Sequence, residues 1–132
     1  MRSDLLFDQL PRDLACAIAL GIVEAPRVGT NLHSITLLDN QMRPVSKIDN
    51  WLDGEDPLDV ATREYLQARQ EAVQAGARKG YQTGWNMAAS AKARELAVKR
   101  SLAAKNTAKK LLEERGALEH ARQQGMHVVD ES

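Results

Sequence analysis

Between Leu58 and Arg115 the chain has no proline and is built mainly of Ala, Leu, Lys, Arg, Glu and Gln, the residues that form helices best. The run has local start and stop signals. Asp56 is a good N-cap, Pro57 suits the first helical position, and Asp59 adds negative charge to the first turn. Gly116 stands where the helix would end, with Arg115 in the last turn. As one straight helix the run would span about 90 Å at ~1.5 Å per residue. A compact chain of 132 residues is only about 35–40 Å across. The sequence therefore predicts a mostly α protein. Either an elongated long helix buries its surface on a partner, or the run folds back as a helical hairpin.

The centre of the run bears on that choice. Gly76, Gly80 and Gly84 stand four apart, and Ala68, Ala72 and Ala88 extend the ladder. Residues four apart share one helical face, so the ladder makes a smooth strip. Each glycine costs about 1 kcal/mol relative to alanine in a helix, roughly 3 kcal/mol for three. Close approach of another helix would offset that, and a break near Gly80 would also use a glycine cluster. Tyr81 and Trp85 lie beside the strip, where they read as interface anchors or as a cover for the chain's own N-terminal helix. Ala72, Gly76, Gly80, Tyr81, Gly84, Trp85 and Ala88 are the expected helix–helix contact.

Two resemblances attach to these residues. The AxxxGxxxGxxxGxxxA run from Ala72 to Ala88 resembles the glycine-repeat helix of FliH/YscL-type regulators of secretion ATPases, which implies helical dimerisation; it is confined to that run. "GYQTGWNMA" (80–88) is similar to the GYxxGWN segment of many small bacteriophage and prophage proteins. That implies a phage origin and transfers no catalytic residue.

The N-terminal part reads differently. Ser3 can cap a short turn carrying Leu5, Leu6, Phe7 and Leu10, and Pro11 starts a second helical piece reaching Val23. Leu14, Cys16, Ile18, Leu20, Ile22 and Val23 cover most of its circumference, so it is expected to be buried. "LACAIALGIV" (14–23) is too short to cross a bilayer, and no basic leader precedes it, so a signal peptide is not expected. "EAPRVGTN" (24–31) reads as a loop. Residues 34–47 read as a possible short β-hairpin turning at Asp39-Asn40, with Pro44 holding its second strand at an edge; a short helix or an extended arm competes. "DNWLDGEDP" (49–57) reads as an acidic hinge pinned by Trp51 and Leu52.

The formal net charge is zero, yet it is segregated: −5 over residues 1–75, +8 over 76–110 and −3 over 111–132. Lys92, Lys99, Arg100, Lys105 and Lys109 form the expected basic surface. Leu96, Leu102, Ala103, Leu111 and Leu112 supply a loose apolar pattern around them. The favoured reading is a solvated helix face, or one paired with the acidic N-terminal half of a neighbouring subunit; non-specific phosphate binding to nucleic acid is the alternative, and an anionic membrane surface would need a stronger apolar face.

No catalytic constellation is legible. His33, His120 and His127 lack metal-type spacing with each other or with Cys16. The carboxylates of 49–59 lack the order of a calcium loop. Only 4% of residues are aromatic, which makes a dense independent core hard to build. The expectation is an acidic N-terminal region (1–55), a long helical region (57–124) and a tail (125–132). It is a non-enzymatic, cofactor-free helical assembly protein, a phage-type minor virion or assembly component. It would be homo-oligomeric or part of a larger assembly, without a membrane span, and cytoplasmic or virion-associated. The alternative is a small accessory regulator that binds a host protein or nucleic acid through the basic helix.

Overall fold

The computed structural model describes residues 10–77 and 84–129, with the side chains of 76, 77 and 84–90 excepted. In chain order the elements are α1 (Arg12–Ala19), β1 (Val28–Thr30), β2 (Ser34–Leu38), β3 (Pro44–Asp49), α2 (Pro57–Ala77), α3 (Gly84–Glu114) and α4 (Ala117–Gln123). The fold is mostly helical, with a small antiparallel sheet in the order β1-β2-β3.

The proline-free run does not form one straight helix. It is divided into α2 and α3, which pack along each other. Their direction follows from two contacts. Arg100, midway along α3, meets Glu64 and Glu71 of α2, while Arg115, just past the end of α3, meets Asp56 before the start of α2. The pair is therefore an antiparallel hairpin, and the connection at 78–83, with Gly80 and Tyr81, lies outside the described residues.

The seam between the helices is lined by small side chains. Leu58, Ala61, Tyr65, Ala68 and Ala72 of α2, alternately three and four apart, are buried, as are Ala97, Ser101, Ala104, Ala108 and Leu112 of α3. Such residues let helices approach to the short end of the ~8–10 Å interaxial range. Buried hydroxyls are satisfied within their own helices: Thr62 Oγ1 donates to Leu58 O at 2.7 Å and Ser101 Oγ to Val98 O at 2.7 Å. Leu96 and Leu102, part of the loose apolar pattern in the sequence, face solvent.

Helix ends follow local chemistry. Asp56 caps α2 by accepting from Leu58 N at 2.9 Å. Gly116 ends the α3 run with φ 73°, a left-handed conformation suited to glycine, and α4 starts at once. Pro11 sits in the N-cap position of α1. As expected from its sequence, α1 is buried, with Leu14, Ala15, Cys16 and Ala17 inside.

The sheet is larger than the expected hairpin. β2 and β3 pair with Ile35 opposite Ile48, and β3 is an edge strand that opens with Pro44. The correction lies in 24–31, where Val28–Thr30 adds a third strand, with Val28 opposite Leu37 and Thr30 opposite Ile35. Pro26 and Gly29 make that stretch look like a loop, but it pairs antiparallel with the next strand, five to nine residues on. Val28, Ile35, Leu37 and Ile48 turn to the core, while Thr36 and Lys47, opposite each other, take the other face.

One hydrophobic core joins these parts: Leu14 and Leu20, Ile35, Trp51 and Leu52, Leu58, Leu112, Leu118 and Ala121. Trp51 Nε1 donates to Asn31 O at 2.9 Å. Arg12 donates to Trp51 O at 3.0 Å and to the carboxylate of Asp59, which is 2% exposed. Arg63 donates to Leu52 O and to Gly54 O. Residues 51–54 are thus fastened between α1 and α2. Residues 126–129 also dock: Glu24 N donates to His127 O at 3.0 Å and Val129 N to Ile22 O at 2.7 Å.

Candidate interaction surface

The hairpin has two unlike sides. On one, Arg100 reaches across from α3 to Glu64 at 2.6 Å and to Glu71 at 2.8 Å. Its hydrogen bonds to Glu71 and then Glu64 raise the guanidinium pKa. On the other side, a groove of about 350 Å³ runs between the helices, lined by Tyr65, Arg69, Ala72 and Val73 of α2 and by Arg94, Val98, Ser101, Leu102 and Lys105 of α3. Its floor is set by the small seam residues Ala72 and Ser101. Its rims carry apolar side chains left in water: Val73 is 67% and Leu102 54% exposed. Arg69 stacks over the Tyr65 ring, 5.7 Å from its centroid, and donates to the phenolic oxygen at 3.2 Å.

The residues singled out on sequence separate accordingly. Ala72 is buried at the seam and borders this groove. Gly76, Gly84, Trp85 and Ala88 lie on α2 and α3, but their side chains are outside the described set, as are Gly80 and Tyr81 entirely. Of the basic residues, Lys99 pairs with Glu95 one turn back at 3.3 Å and Arg100 pairs across the hairpin. The acidic partners of Arg100 come from the same chain. Lys105 lines the groove, Lys109 is half-buried and Lys92 is exposed. Sequence reasoning missed Arg69, Val73 and Val98. The available signal was Val73, a lone β-branched residue in the polar stretch Arg69–Gln74.

The remaining polar cluster is structural. Cys16 is buried beside Asp59, 3.9 Å from its Oδ1, and burial pushes its thiol up to about 12, which leaves it protonated and unreactive near neutrality. Gly54 lies so close to Asp59 that an added Cβ would sit 2.7 Å from Oδ2. Among the described residues, no group of three or more His, Cys, Asp or Glu side chains is placed to hold a metal ion, and no helix is long and apolar enough to cross a membrane.

No protein-family model matches the chain, and neither a curated protein nor a solved structure matches it significantly.

Proposed function

We propose that this chain is a non-enzymatic helical assembly protein that acts through helix–helix association, in the manner of a phage-type minor virion or assembly component. The observation that carries the reading is the apolar rim of the hairpin. Val73, Val98 and Leu102 are exposed along the groove, although the same helices bury alanines against each other. Exposed apolar side chains grouped along one groove mark a protein-contact surface. The similarity of Gly80–Ala88 to the phage GYxxGWN segment supports the virion setting, and that of the glycine ladder to dimerising regulators supports self-association nearby. Lys99 and Arg100 are engaged by carboxylates, which favours a protein partner over the phosphate-binding regulator reading.

The test is sedimentation of the tagged chain expressed in its native host. Co-sedimentation with a large, nuclease-resistant particle is expected. A chain that stays in the light fractions, or leaves the particle on nuclease treatment, refutes the assembly reading.

A further inference from the structure

We propose that the hairpin groove binds the apolar face of an acidic amphipathic helix supplied by another protein. The inference rests on the protein-assembly reading and names the partner's chemistry. The groove runs about 12 Å along α2 from Tyr65 to Val73 and about 16 Å along α3 from Arg94 to Lys105, at ~1.5 Å per residue. That is the length of about three helical turns. Two antiparallel helices present a trough into which a third helix packs as in a bundle, its residues at i, i+3, i+4 and i+7 filling the groove. Ala72 and Ser101 keep the floor low, and Val73, Val98 and Leu102 supply the apolar walls.

Charge selects the occupant. Among the described residues the charged side chains lining the groove are Arg69, Arg94 and Lys105; Lys105 already has a partner, so Arg69 and Arg94 are the selecting charges, while the carboxylates of Glu64 and Glu71 pair with Arg100. A helix with glutamates or aspartates beside its apolar stripe meets these cations as it buries its leucines. A second copy seated groove to groove would set Arg69 and Arg94 against the same two cations, which disfavours self-association on this face.

Fluorescence anisotropy with two labelled peptides tests the proposal. Both are synthetic amphipathic helices of about four turns with leucines at i, i+3, i+4 and i+7. One is flanked by glutamates, the other by lysines. The wild-type chain is expected to bind the glutamate peptide at least about tenfold tighter, a difference of roughly 1.4 kcal/mol. Arg69→Glu with Arg94→Glu, both at exposed positions, is expected to reverse that preference. Val73→Gln with Leu102→Gln is expected to weaken the glutamate peptide about tenfold while leaving the thermal melt unchanged. Equal binding of the two peptides, binding of neither, or a preference that survives charge reversal overturns the proposal. So does a wild-type dimer in multi-angle light scattering that the Gln pair dissociates, which assigns the face to a second copy. Displacement of the peptide by a DNA or RNA oligonucleotide overturns it in favour of nucleic acid. These readouts do not depend on sedimentation with a particle, so failure of this proposal and failure of the assembly reading are told apart.

Discussion

Removing Arg12 is expected to leave a buried carboxylate without its cation. Asp59 is 2% exposed, and Arg12 contacts both of its oxygens while also serving Trp51 O. The hydrogen bond with Asp59 raises the pKa of Arg12, against the opposing effect of burial. Breaking a buried pair from one side costs about 3–5 kcal/mol, mostly because the other charge is stranded. The Arg12 side chain is itself 40% exposed, so water reaches the mouth of the site and the lower end applies. Arg12→Met is therefore expected to destabilise the fold by about 3 kcal/mol, a fall in Tm of roughly 10 °C for a domain of this size. Asp59→Asn keeps the shape and frees Arg12 to turn to water, so it should cost less, about 1–2 kcal/mol. Urea and thermal melts followed by circular dichroism give both values. A cost below about 1 kcal/mol for Arg12→Met, or a larger cost for Asp59→Asn, would refute the argument that burial of the carboxylate, rather than the pair's attraction, sets the energetics.

Ala68→Leu inserts bulk at a fully buried seam position; it should destabilise by about 1–3 kcal/mol through overpacking, measurable as a shift of the urea midpoint. Cys16, buried and with its thiol pushed up to about 12, should resist Ellman's reagent at pH 8 in the native state and react fully in denaturant; rapid native labelling would contradict its burial. The Asp56 carboxyl is held below its usual range by its hydrogen bond with Arg115 and by Leu58 N. A depressed folded pKa contributes stability that is present above the ordinary carboxylate range and is lost as pH falls through the folded value. Asp56→Ala should accordingly cost about 1 kcal/mol of N-cap stability near pH 7, and the gap from wild type in urea midpoint should narrow toward pH 3; a constant gap would remove Asp56 from that linkage.

Short-range chemistry decided where α2 begins, where α3 ends and where β3 sits. Asp56-Pro57 starts α2 and Gly116 stops α3 because a cap, a fixed φ and a positive φ are properties of one or two residues. Pro44 places β3 at an edge because it has no N–H to give a central ladder. The buried α1 was legible because its apolar residues cover most of the circumference. The tertiary structure decided what depends on distant partners. The fold-back of α2 on α3 was one of two readings from sequence, since a glycine cluster suits both a break and a close contact. The seam was hidden because alanine and serine give little hydrophobic contrast: Ala97 and Ser101 are buried while the larger Leu96 and Leu102 are exposed. β1 was missed because Pro26 and Gly29 punctuate its three residues as a loop, although they pair with β2 just beyond the turn. The groove existed in no local pattern. Arg69 and Val73 lie about thirty residues from Val98 and Leu102, and only packing of the antiparallel helices brings them to one surface, leaving Arg69, Arg94 and the apolar rims toward water.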